Sequence, residues 1–287
     1  MSSLTPLHPQ TLTTAGVVAR WSAPALQRAA AAWFSVAVFG QLLFALYVAV
    51  FYGQPALQGH WALWNKGMPH GHVAGDFWGN AVVGLHLLFT VLVLMGGALQ
   101  LVPAVRRRWP VFHRWVGRSY LVGAVLLAGG GIVMLLTRGT VGAWPQHLGV
   151  GLNGVVVLVF AALTLRHALA RRLDAHRRWA LRLWVAVAGV WFFRLGLMLW
   201  LVIHRAPVGF DMASFSGPFL SFLSFAQFLI PLAVLQLYFW AQAQRAAAPK
   251  LAVATVLGAC TLLTAAGVAA AFALMWLPRI LKAAPAL

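Results

Sequence analysis

Four histidines recur at a spacing that could hold a flat cofactor. His86 lies inside an apolar run and His113 follows 27 residues later; His147 opens another apolar run and His176 follows 29 residues later. A b-type haem takes two axial imidazoles through neutral nitrogens. Two layers, His86 with His147 and His113 with His176, would carry one or two haem b groups and pass electrons across a membrane. Haem propionates are anions, and guanidinium forks match them. Arg106, Arg107, Arg108, Arg114, Arg118, Arg177, Arg178 and Arg182 stand beside the second layer, with Gln100 and Tyr120 as further polar candidates.

Arg194 is the costliest residue. It sits within an apolar run, where a charge costs at least about 2.5 kcal/mol unless it is satisfied. At 100° per residue it lies five turns beyond His176 on the same face. A propionate, a bound anion, a lipid headgroup, a carbonyl or water is its expected partner. A separate candidate is "MPHGH": Met68, His70 and His72, with His60 nearby. Thioether and imidazole together suit copper. Hydrolytic chemistry is poorly supplied, because the chain has three Asp, no Glu and no Gly-rich phosphate loop. A single cysteine, Cys260, rules out an internal disulfide and any Cys-rich metal motif.

The elements that must position these residues are membrane helices. Of 287 residues, 62% are hydrophobic and 8% charged, whereas a soluble domain carries about 25% charged residues. Seven runs approach the roughly 20 residues that cross a bilayer: about 31–52, 79–104, 119–137, 147–168, 179–203, 218–241 and 251–276. Backbone groups in lipid must pair within the segment, so each run is a helix. The expected fold is an all-α polytopic bundle, with residues 1–30 as a cytoplasmic segment and 31–287 as one transmembrane domain.

Net charge is +18. The basic residues cluster in alternate short loops, so topology explains them and nucleic acid is excluded as a partner. The basic loops around 105–118 and 166–178 place the N-terminus inside, in a bacterial inner membrane. Arg279 and Lys282, beyond the seventh run, stand against that rule. The loop 53–78 faces outward and is Trp-rich, as at a membrane interface.

An internal repeat is expected. Each unit reads His, helix inward, basic His-Arg loop, helix outward, and two such hairpins would form a central four-helix bundle. Helical phase sets Val93, Gly97 and Gln100 near the His86 face. Tyr120 and Gly131 share the His113 face, and Gly151 and Gly154 share that of His147.

His86 and Gln100 ahead of "RRRWPVFHRWVGRSY", followed by "HRRWALR", give the chain a resemblance to a bacterial family. This is the predicted multi-pass membrane proteins of domain of unknown function 2306. The resemblance covers about residues 79–203. That family commonly has Met after the Trp of His-Arg-Arg-Trp, where this chain has Ala180. The resemblance implies a membrane location and a shared His/Arg core, and no activity.

The leading expectation is a transmembrane redox carrier, with a quinone or a membrane redox protein as partner. The alternatives are a non-enzymatic protein, such as a respiratory-complex assembly factor, an accessory subunit or a lipid-binding protein, or a handler of copper or a small ligand. In the non-enzymatic case the His/Arg motifs would hold anionic lipid headgroups.

Overall fold

The computed structural model describes residues 14–139 and 141–283. Helix α1 (Thr14–Val48) runs through a π-helical turn (Ala49–Gly53) into the short α2 (Gln54–Leu57). A 3-10 turn (Trp61–Lys66) and an extended strap lead to α3 (Phe77–Leu101). Then come α4 (Pro103–Arg108), α5 (Pro110–Arg138), α6 (Trp144–Leu169), α7 (Leu173–Val187) and α8 (Gly189–His204). The chain continues through α9 (Pro218–Ala243), α10 (Ala247–Ala271), a second π-helical turn (Phe272–Trp276) and α11 (Leu277–Ala283). Six helices are long and apolar enough to cross a membrane, and the pair α7–α8, bent by 48°, makes a seventh span when taken as one. The protein is an all-α polytopic bundle.

The basic stretches expected as loops are helical. α5 starts at Pro110, which suits the first helical position because its missing N–H has no partner there anyway. His113, Arg114 and Arg118 therefore ride on its first turns. Only residues 170–172 separate α6 from α7, so His176, Arg177 and Arg178 belong to the start of α7. Long arginine stems allow this, since they lie along apolar surface while the heads reach water. α1 also starts earlier than expected, because Leu26 is buried against Ala241, Val253 and Leu257 of the last two spans.

α3 and α5 pack antiparallel along the face that helical phase predicts. His86 meets Gly131, Val93 meets Gly123, Gly97 meets Tyr120, and Gln100 meets Gly117. Small residues let the backbones approach. Gly151 and Gly154 of α6 meet Leu135 and Ile132 of α5. α1 packs along α10, and α10 leans on α8; α1 reaches α8 through side chains, Trp33 stacking on Phe192.

The second hairpin departs from the first. α5 is unbroken, whereas the α7–α8 span bends at Ala188. Asn153 of α6 occupies the space where a side chain on Gly189 would stand. A side chain inserted beside a glycine is an ordinary cause of a kink. The bend breaks the helical phase between His176 and Arg194, so the expected shared face does not exist. Arg194 lies instead over the ring of Phe44 in α1, 5.0 Å from its centroid.

At the end opposite the basic stretches, a strap closes the bundle. Arg138 donates from Nη1 to the carbonyls of His70 (2.8 Å) and Gly71 (3.2 Å). Its Nη2 donates to the Asp76 carboxylate and to Asn80 Oδ1. Asp76 Oδ1 also accepts from the Gly79 N–H at 2.9 Å, capping α3. These bonds hold the Asp76 carboxyl below the usual carboxylate range, the Arg138 hydrogen bond being the larger cause.

Candidate functional site

Helices from all seven spans enclose a cavity of about 1650 Å³. It opens at the end where the basic stretches lie. Its mouth carries Arg106, Arg114, Arg118, Arg177 and Arg178, with Asp174 as the single carboxylate. Its depth is apolar, reaching Leu195, Leu199, Phe222 and Leu223. Arg118 stacks its guanidinium over Trp115 and Arg178 over Phe239, so the stems lie flat and the charges stay at the rim.

His113 and His176 both line this cavity and lie within electrostatic reach of each other. Their settings differ. His176 Nδ1 stands 3.0 Å from the Thr164 carbonyl. A carbonyl only accepts, so Nδ1 carries a proton, and in the neutral ring Nε2 is left with its lone pair. The Thr164 hydroxyl donates back to the Phe160 carbonyl at 2.7 Å, which fixes the side chain beside that contact. His113 is held through its backbone, whose carbonyl accepts from Gln100 Nε2 at 3.1 Å. The His113 Nδ1 is buried and makes no hydrogen bond.

Two more cavity residues hold buried polar atoms without partners: the Tyr120 hydroxyl and Gln227 Oε1. Buried polar atoms are nearly always paired in folded proteins. Three such atoms on the residues of one cavity mark a place for a ligand's polar groups.

The cavity brings together His113, His176, Gln100, Tyr120, Arg114, Arg118, Arg177 and Arg178. Arg182 stands apart, donating to Gln236 Oε1 at 3.0 Å and lying over Trp179 and Phe239. The outer histidines are not brought to one cavity. His86 presses on the α5 backbone at Gly130 and Gly131, while His147 lines a separate groove with Ile132, Leu135 and Gly151. Arg194 lies beyond the cavity, as the bend dictates.

In the strap, His70 is exposed and its carbonyl is taken by Arg138. The backbone of His72 pairs both ways with the Asn65 side chain, and Met68 packs against the core. Among the described residues, no three His, Cys, Asp or Glu side chains gather as a metal site.

Some cavity residues went unremarked in the sequence reading. Gln27, Gln227, Tyr238 and Gln242 come from the first and sixth spans. Gln227 carried a readable signal, a lone amide inside "SFAQFLIPL". A polar side chain within a span points to the bundle interior by default.

A family model described as predicted membrane protein, DUF2306, matches residues 83–238, more than half of the 287-residue chain. The chain belongs to the DUF2306 family. The match extends past the expected limit at 203 and takes in α9. No curated protein and no solved structure matches the chain. The DUF2306 region holds every histidine and arginine of the cavity. The walls from α1 and α10 lie outside it.

Proposed function

We propose that this DUF2306 protein is a membrane-embedded binding protein for an acidic amphiphile. Arg106, Arg114, Arg118, Arg177 and Arg178 hold the acidic head, His113 and His176 stand beside it, and the apolar body lies toward Leu199 and Phe222. The observation that carries this reading is the polarity gradient of one cavity, with five guanidiniums at its mouth and apolar walls at its depth. Arginine forks favour carboxylate and phosphate heads. The positive-inside rule turns this mouth to the cytoplasm, level with the headgroups of the inner leaflet.

A second reading, haem b, is favoured by the His176–Thr164 contact. A metal-ligating histidine donates its other N–H to a carbonyl or carboxylate, as His176 does. His176 and His113 would be the axial ligands and the rim arginines the propionate partners. Bound there, haem would supply one-electron transfer. The outer pair does not fit a haem, because His86 and His147 line different spaces.

One preparation tests both readings. The chain is purified in mild detergent, its oxidised and dithionite-reduced visible spectra are recorded, and an organic extract is identified by mass spectrometry. A near-stoichiometric acidic amphiphile is expected. It should fall at least about tenfold in an Arg114→Gln/Arg177→Gln variant, which removes two charge-assisted hydrogen-bond partners. Extracts that match bulk membrane and do not differ between the two proteins overturn the amphiphile reading. Reduced haem bands that vanish in His176→Ala support haem, and a colourless protein after haem supplementation sinks it.

A further inference from the structure

A second basic constellation lies in the opposite half of the bundle, away from the cavity. Arg194 of α8 stands ten residues before the end of its helix, roughly 15 Å along the axis. Its guanidinium caps the Phe44 ring. Phe44 packs on Tyr47, with centroids 6.0 Å apart, and Tyr47 on Tyr52 at 6.1 Å. The Tyr47 hydroxyl accepts from Arg279 Nη1 at 3.0 Å, and Arg279 also lies over Phe51. Arg194 is within electrostatic reach of Arg279, Tyr47, Tyr52 and His86. Two guanidiniums, two phenols and an imidazole thus share one region, with the phenols buried and the guanidiniums and imidazole half-buried.

Among the described residues, no side-chain carboxylate serves them. The chain has three acidic residues. Asp76 pairs with Arg138, Asp211 accepts from Ser214, and Asp174 lies at the mouth of the other cavity. Among the described residues, Arg194 makes one hydrogen bond, from Nη1 to the Val190 carbonyl, and Arg279 makes one, to Tyr47. Each guanidinium has five N–H donors. Another donor nearby is unused: the indole N–H of Trp276, a residue that packs on Phe44 and Tyr47, is buried without an acceptor. Like charges in a low-dielectric interior repel strongly. A donor-rich, acceptor-poor region of this kind calls for an anion.

The backbone is shaped for it. Both π-helical turns among the described residues fall here, one carrying Tyr52 and the other ending at Trp276 beside Arg279. Such turns are rare and concentrate at functional sites. The strap covers them: Trp64 is buried, and its indole donates to the Tyr52 carbonyl at 2.8 Å. From these contacts we infer that Arg194 and Arg279, with Tyr47 and Tyr52, form a site for one oxyanion, a phosphate or carboxylate, beneath the Trp64 strap.

The anion is either free or a lipid headgroup, and two probes separate these sources. The full chain in dodecyl maltoside is titrated with inorganic phosphate, and in a parallel series with phosphatidylglycerol in mixed micelles. Binding is read by tryptophan fluorescence and by native mass. In the Arg114→Gln/Arg177→Gln background, which disables the rim of the other cavity, one probe should still bind saturably at one equivalent. Arg279→Gln added to that background should weaken it about tenfold. Tyr47→Phe, which keeps both charges, should weaken it less. Response to phosphate assigns a free anion, and response to phosphatidylglycerol alone assigns a headgroup. If neither probe binds saturably, or if Arg279→Gln and Tyr47→Phe both bind as the wild type does, the site does not exist. Binding lost only in the Arg114/Arg177 variant would assign the anion to the other cavity and overturn the inference equally.

Discussion

The strap shows how much one ion pair can organise. Arg138 joins α5 to the strap backbone and to the residue that caps α3, so three elements meet on one guanidinium. The Asp76 carboxyl is held below its ordinary value by that contact and by the Gly79 N–H. A depressed folded value means its stabilisation is present above the unfolded value of about 3.9 and disappears as pH falls through the folded one. The thermal midpoint, followed by tryptophan fluorescence from pH 7 to pH 3, should therefore drop on the acid side. Asp76→Asn should remove that part of the drop and lower the midpoint at pH 7. Identical acid profiles for the two proteins would refute the assignment. At this scale the sequence was only partly legible. The His/Arg pairs at 113–114 and 176–178 stood out as unusual residues at span edges. Arg138 did not, because one arginine after an apolar run reads as an ordinary boundary. Tyr47 did not either, and Arg279 stood out only as a charge against the topology rule, since the two are distant in sequence and meet only through α1 and α11.

Among the elements, the spans themselves were legible, because length and hydropathy are summed along the chain and need no partner. Their fine structure was not. At the α7–α8 bend, Asn153 of another helix fills the space beside Gly189, and a periodicity argument sees one helix at a time. The same blindness put Arg194 on the His176 face. The π turns have no composition of their own. Helix contacts give the cleanest test at this scale. A side chain on Gly97 would meet Trp184 and Tyr120, both walls of the cavity, whereas one on Gly129 would meet nothing within 4 Å. Overpacking a tight contact costs about 1–3 kcal/mol. Gly97→Val should lower the thermal midpoint and reduce the retained amphiphile, while Gly129→Val should do neither. Equal midpoints for the two variants would mean that α3, α5 and α7 do not meet as described.

The whole molecule separates charge by end. Arginines crowd one end of the bundle, and Arg138–Asp76 is the one carboxylate salt bridge among the described residues. The positive-inside rule predicts that the crowded end stays in the cytoplasm. Single cysteines in a Cys260→Ser background test this. In intact cells, a membrane-impermeant maleimide should label Ala213→Cys and spare Ala170→Cys until the cells are broken. The reverse pattern would invert the protein and move the mouth of the cavity to the other leaflet. The cavity was the least legible feature, since it needs α1 and α10 to close around the family region.

That closure has a temporal side. α1 packs against α10 across most of the chain, and a ribosome delivers the two ends at different moments. With synthesis near 5–20 residues per second, α1 waits on the order of ten seconds for the helix that completes its wall. During that interval the central helices stand in the bilayer with one flank open to the surrounding lipid. On the amphiphile reading, the guest would enter sideways while the protein is being made. The arrival of the last helix then shuts the door behind it.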